Sequence, residues 1–287
     1  MEAKGGNVST GHPASRVFRS GDLQLHYLEW GSSEATPIIL LHHLNTHAHA
    51  WDQFAAAISN SYRVLALDMR GHGDSEWSKT GSYTTADHAS DVAALMDHLK
   101  LERAVILGGS VGGRVALVYA AENPQRAAAL IMEDVGPVRS PENAANFTRM
   151  AEAEVTEFDN MDAVVEYMRA HPGGHSEHRP EAAWRYVAKY ATRLQDNGKL
   201  SWKRDVAMHK TAEALQLWGH VERIQCPFLL ILGSDSTTVS PEHRDRMMHS
   251  ASNSTLVTVQ EAGHIVVHDR PQEYQQAVLE FLKTYSL

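Results

Sequence analysis

Cysteine is nearly absent: Cys226 stands alone in 287 residues, so no disulfide closes within the chain. No apolar run approaches the roughly 20 residues that cross a bilayer as a helix, and no membrane partner is expected. Positive charge is short. Lys and Arg number 26 against 35 acids, a net charge of −9, which is the wrong sign for a protein that binds by neutralising phosphates, so nucleic acid is not expected either. Nineteen Gly and ten Pro are too few for a collagen-like or low-complexity chain. Residues 1–15 are polar and lack the apolar core of a signal peptide, so the expectation is a disordered leader on a cytoplasmic protein. What is abundant is histidine: eighteen residues, four of them between His42 and His49.

The length allows one large domain or two small ones. Residues 16–30 alternate through Val17, Leu23, Leu25 and Tyr27 around Ser20-Gly21-Asp22, the pattern of two paired strands and a turn. Short unalternating apolar runs follow at Ile38–Leu41, Val64–Leu67, Ala104–Leu107, Ala128–Met132, Phe228–Leu232 and Leu256–Val259, which suits strands buried on both faces. Helix-period stretches lie between several of them. Val92, Leu95, Met96 and Leu99 follow a Thr84-x-x-Asp87 capping box, and Tyr274, Ala277, Val278, Phe281 and Leu282 share one face after Pro271. Strands alternating with helices predict an α/β fold with a mostly parallel central sheet flanked by helices.

The rhythm breaks over 139–210. Helical segments at Asn143–Thr156, Met161–Ala170 and Glu181–Leu194 are separated by His171-Pro-Gly-Gly and Asp196-Asn-Gly. Roughly seventy residues are too many for an ordinary connection, so 139–210 is expected to be a helical lid inserted after the sixth strand, with 16–138 and 211–287 as the core.

Gly108-Gly109-Ser110-Val111-Gly112 sits between a strand-like and a helix-like run, the context that gives G-x-S-x-G its meaning. A serine hydroxyl lifted on a sharp strand-to-helix turn is a nucleophile, and the glycines are there because a side chain would collide in so tight a bend.

With that motif the chain resembles the α/β-hydrolase fold family from about Val17 onward. Leu40-Leu41-His42-His43-Leu44 stands where the family has a strand followed by His-Gly-x. Asp68-Met-Arg70-Gly71-His72-Gly73-Asp74-Ser75 matches its Asp-x-Arg-Gly-x-Gly-x-Ser loop, and Ala262-Gly263-His264 with Asp269-Arg-Pro271 resembles the loop bearing the catalytic histidine. The resemblance implies His264 as base and the backbone N–H groups of Leu44 and Val111 as oxyanion hole. It leaves two positions for the acid. The commoner one, after the strand Phe228–Leu232, falls on Ser236 with Asp235 one residue early. The one used by a smaller group of esterases falls on Asp134, twenty-four residues beyond Ser110. Asp134 is favoured, Asp235 is the alternative and Glu133 ranks third. Two residues depart from the family: His43 replaces a glycine, where an unusual backbone angle is expected, and Gly109 replaces the histidine before the nucleophile, leaving room at the elbow. Both are counted as substrate-binding candidates, His43 as a hydrogen-bond donor.

A metal reading of His42, His43, His47 and His49 fails on spacing, since no H-E-x-x-H accompanies them. Arg149, Arg169, Arg179, Arg185 and Arg193 are candidates for a substrate carboxylate; Trp184, Tyr167 and Tyr186 either line a pocket or hold lid to sheet. The reading is a serine hydrolase of a small ester, amide or lactone, monomeric or homodimeric, with no cofactor. A carbon–carbon bond hydrolase or cofactor-free dioxygenase is one alternative, and a ligand receptor or inactive binding protein of the same fold is another.

Overall fold

The computed structural model describes residues 11–171, 181–211 and 214–287. Residues 1–10 of the expected leader, Arg179 and the Pro-Gly-Gly break fall outside them. Eight strands form the main sheet: β1 (Ala14–Ser20), β2 (Leu23–Trp30), β3 (Thr36–Leu41), β4 (Tyr62–Leu67), β5 (Ala104–Gly109), β6 (Ala127–Glu133), β7 (Phe228–Gly233) and β8 (Ser254–Val259). Their order is β1-β2-β4-β3-β5-β6-β7-β8. Only β2 runs against its neighbours; every other pair is parallel.

The unalternating runs lie in the middle of the sheet because both faces are covered. Ile39, Leu41, Leu65 and Leu67 face a core shared with helices α2 (Thr85–His98) and α3 (Val111–Glu122). Ile38, Leu40, Val64 and Ala66 face the opposite core, closed by α1 (Asp52–Ile58) and the last helix (Pro271–Thr284). The Thr84–Asp87 capping box forms as the sequence predicts, and Tyr274, Ala277, Val278, Phe281 and Leu282 of the last helix are all buried.

The edges differ from expectation. In β1 the inward residues are Phe18 and Ser20, while Val17 is 52% exposed, so the strand sits one residue out of the predicted phase and its alternate side chains change face. Strand β1 also begins at Ala14, within the stretch assigned to the leader. In β8 only Val259 is buried; an edge strand with one covered face alternates, and Leu256 is exposed.

Between β6 and β7 the chain leaves and returns through a short antiparallel pair, Val138–Arg139 with Leu215–Gln216. Inside the insertion lie α4 (Pro141–Glu152), α5 (Met161–Ala170) and α6 (Glu181–Ala191), with a three-stranded sheet of Glu157–Phe158, Leu200–Trp202 and Thr192–Leu194. The expected helix to Leu194 stops at Ala191. Thr192–Leu194 pair with Leu200–Trp202 around the Asp196-Asn197-Gly198 turn, where Gly198 has φ +80°, and that hairpin overrides helix periodicity. Phe158, Val164, Trp184, Ala188 and Trp202 give the insertion its own small core.

Candidate active site

Ser110 stands between β5 and α3 at φ 53°, ψ −117°, a left-handed conformation that a non-glycine residue keeps only when its surroundings enforce it. Its N–H donates to the Glu133 carbonyl at 3.0 Å. A Cβ at Gly108 would lie 2.2 Å from the Gly112 carbonyl oxygen, and one at Gly112 would lie 2.4 Å from that of Leu41. Both glycines are fixed by close backbone approach, as the motif requires.

Asp134 leaves the end of β6 with φ 47°, its N–H bonded to the Ile231 carbonyl at 2.7 Å. Its buried carboxylate accepts three hydrogen bonds: from His264 Nδ1 at 2.7 Å, from Ser236 Oγ at 2.5 Å and from the Gly233 N–H at 3.3 Å. A carboxylate only accepts, so the proton is on Nδ1 of His264 and Nε2 is the basic nitrogen. The residue at the family's commoner acid position, Ser236, thus serves the acid at the other one. Asp235 is exposed and accepts from the Ser234 hydroxyl.

The loop after β3 is built on His42. Its Nδ1–H donates to the His43 carbonyl at 2.8 Å, and its Nε2 accepts from the Met69 N–H at 3.1 Å. Burial lowers its pKa to about 4, so the ring is neutral and both nitrogens are used. The Thr46 N–H and hydroxyl also reach the His43 carbonyl. The residue with positive φ is Asn45, at 64°. The unusual angle expected at His43 therefore falls two residues later.

His43 and Gly109 form one unit. A Cβ on Gly109 would lie 2.1, 2.4 and 2.7 Å from three atoms of the His43 ring. The room that Gly109 leaves is filled by imidazole and is not open to substrate, which corrects its place among the substrate-binding candidates. The ring also lies edge-on to His264, with centroids 5.9 Å apart, and its Nε2 is 3.5 Å from Glu133 Oε2. Glu133, the last residue of β6, makes a different contact from Asp134: it accepts from the Val267 N–H. Burial pushes its carboxyl up to about 8.

Ser110, His264, His43 and Leu44 line a cavity of about 600 Å³. The insertion closes it with Arg149, Tyr167 and Trp184, three residues named from sequence. Arg169 and Arg185 are not brought there: they pair with Glu181 and Asp162 on an exposed face. Arg193 lies over the Trp77 ring, and Tyr186 bonds Asp52. Sequence reasoning missed Arg204, Glu154, His209 and Asn45, all on the cavity wall. Arg204 pairs with Glu154, stacks 4.1 Å over Trp202, and is lowered to about 9 by burial. His209 Nε2 donates to Asn45 Oδ1 at 2.7 Å. No local signal marks a pair fifty residues apart. A second cavity of about 320 Å³ adjoins the first, sharing Leu44, Phe147 and His209 and reaching Val111. As the first residue of α3, Val111 has an N–H with no intrahelical partner.

The clustered histidines diverge. His47 Nε2 donates to the Val187 carbonyl, and His49 bonds Asp52 and stacks on Tyr190. Among the described residues, the one group of His and acid atoms close enough to surround a cation is His26, Asp68 and Asp74. There the two His26 nitrogens are bonded to Asp68 and Ser15.

Comparison with known proteins bears on the same segments. The chain is 27% identical over 279 residues to an esterase of Mycobacterium tuberculosis, covering 95% of this chain and 91% of that protein. It is 25% identical over 279 residues to the 2-(acetamidomethylene)succinate hydrolase of Mesorhizobium japonicum, covering 96% and 98%. A crystal structure of E-2-(acetamidomethylene)succinate hydrolase matches with TM-score 0.85 at 24% identity, over 95% of this chain and 100% of that one, and shows the shared fold. No helix among the described residues is long and apolar enough to cross a membrane. A family model described as alpha/beta hydrolase fold matches residues 36–271, from the start of β3 through the elbow, both flanks of the insertion and His264, and the chain belongs to that family of hydrolases.

Proposed function

We propose that the protein is a serine hydrolase that cleaves a small carboxylic ester or amide through an acyl-serine intermediate. The observation that carries this reading is the 2.7 Å bond from Asp134 to Nδ1 of His264, on the wall of the cavity that holds Ser110. Asp134 holds the imidazole in the tautomer whose Nε2 takes the Ser110 proton as Oγ attacks the carbonyl. The new C–O bond makes a tetrahedral oxyanion, which the N–H groups of Leu44 and Val111 stabilise. Collapse breaks the bond to the leaving group, which leaves with the proton from Nε2. Water, deprotonated by the same nitrogen, then releases the acid. The insertion acts as a lid, since Arg149, Tyr167 and Trp184 close the cavity from above.

A panel of p-nitrophenyl esters, anilides and lactones tests the roles. Ser110→Ala is expected to abolish turnover, and Asp134→Asn to lower kcat by about 10³- to 10⁴-fold by losing the correct tautomer. Asp235→Asn is expected to retain wild-type rates. Loss confined to Asp235→Asn would overturn the choice of acid. Substantial oxygen-dependent turnover by Ser110→Ala would overturn acyl transfer in favour of dioxygenase chemistry.

A further inference from the structure

The second cavity is more than a recess beside the first. Val111, Val118 and Glu122 line it and lie on one face of α3, seven and four residues apart. At about 1.5 Å per residue they span roughly 16 Å, from the oxyanion-hole residue Val111 to exposed Glu122. The facing wall is the start of α2, Tyr83 to His88, and the return of the insertion at Leu215 and Leu217. The space is therefore a slot that meets the larger cavity at Leu44 and Phe147 and reaches exposed residues at Ala86 and Glu122.

We propose that this slot binds the acyl portion of the substrate and that the acyl group is an extended, uncharged apolar chain. The assignment rests on the hydrolase reading above. Two observations point to it. First, His264 lines only the larger cavity. The group that departs must sit within hydrogen-bond reach of the base that protonates it, so the leaving group occupies the larger cavity. The acyl substituent, on the other side of the carbonyl, then extends past Leu44 and Val111 into the slot. Second, the walls match an apolar chain: Val118, Phe147, Met208, Leu215 and Leu217 line it. Three imidazoles deeper in the slot are uncharged, because burial holds His88 at about 3, His209 at about 4 and His72 well below the ordinary value; His220 lies near the mouth, 3.5 Å from Glu122. Arg139, on the slot wall, lies with its guanidinium 5.5 Å over the Phe147 ring.

The test keeps the leaving group constant and varies the tail. With p-nitrophenyl acetate, butyrate and octanoate, kcat/KM is expected to rise with chain length by about tenfold or more, since each buried methylene contributes about 0.8 kcal/mol. Val118→Phe fills the slot and Ala86→Trp blocks its exposed mouth; each is expected to lower the octanoate-to-acetate ratio by about tenfold or more. Melting temperatures identify a Val118→Phe protein that fails to fold, and Ala86→Trp, at an exposed position, then carries the test. An unchanged ratio in folded variants overturns the slot. A preference of about tenfold or more for mono-p-nitrophenyl suberate over octanoate, lost in Arg139→Met, overturns the uncharged tail. If the wild type hydrolyses none of these esters, the hydrolase reading fails by itself. The slot is then judged by octanoate alone, which should raise the wild-type melting temperature and not that of Ala86→Trp; equal shifts overturn it.

Discussion

Replacing Gly109 by alanine is expected to destabilise the protein only while His43 is present. Gly109 is outside the left-handed region, so alanine meets no backbone penalty there and gains up to about 1 kcal/mol by restricting the unfolded chain. The penalty is steric. The new Cβ falls 2.1 Å from Cε1, 2.4 Å from Nε2 and 2.7 Å from Nδ1 of the His43 ring, all below any real contact distance. The ring has little room to recede: Glu133 Oε2 is 3.5 Å from its Nε2, and Trp51 and His264 lie beside it with centroids 6.0 and 5.9 Å away. Overpacking of this kind costs about 1–3 kcal/mol. His43→Ala alone empties an aromatic-sized site and removes the imidazole beside Glu133, a loss of about 2–4 kcal/mol. In that background the same Cβ meets no ring, and Gly109→Ala becomes neutral to stabilising. The double-mutant cycle should therefore show a favourable coupling of about 1–3 kcal/mol. Urea unfolding of the four proteins, followed by tryptophan fluorescence with m-values checked for equality, measures it. Additivity within about 0.5 kcal/mol would refute the argument, because it would mean that the His43 ring does not occupy the space above Gly109.

Two further perturbations act on the neighbouring groups. Burial raises the Glu133 carboxyl from 4.5 to about 8, so the folded state holds a proton the unfolded state releases, and stability falls as pH rises from about 4.5 to 8. At about 1.36 kcal/mol per pH unit the loss is bounded near 5 kcal/mol; Glu133→Gln should remove it and gain about 1–4 kcal/mol on the wild type between pH 5 and pH 8.5, whereas a difference constant with pH contradicts the assignment. Ser236→Ala deletes one of three donors to the Asp134 carboxylate, a loss of about 1–2 kcal/mol. It should lower kcat roughly 5- to 30-fold at nearly constant KM; a change in KM alone would show that the hydroxyl serves substrate rather than the acid.

The parts of the molecule legible in the sequence are those whose constraint is local. Gly108 and Gly112 are required by backbone atoms only a few residues away or on the adjacent strand β3. The Thr84–Asp87 box closes within one turn, and the unalternating runs of β3 to β7 follow from burial on both faces. Where two local rules compete, tertiary contact decides. Val17 and Phe18 are adjacent and both apolar, so the pattern alone gives β1 two phases, and the structure buries Phe18 against Tyr27. The end of α6 continues a helical period through Leu194, yet pairing with Leu200–Trp202 is worth more there. Arg204 and Glu154 mark the opposite limit: neither follows a motif, and their meeting depends on how α4 and the insertion hairpin pack around Trp202.

His43 and Gly109 lie between these extremes, and the reason is instructive for the site. Each was visible as a departure from the family pattern, and each taken alone gave a wrong local expectation: strain at His43 and open space at Gly109. Taken together they are size-compensating, a ring gained at one position and a side chain lost at a position sixty-six residues away. Close packing makes such compensation necessary, because a core with no space for one added methylene has no space for an added imidazole. Two departures that balance in volume thus carry a contact that neither carries alone. The His43 imidazole lies beside His264 and approaches from the side of Glu133. The Asp134–His264 bond is intact, with the His43 ring set beside it on the cavity wall.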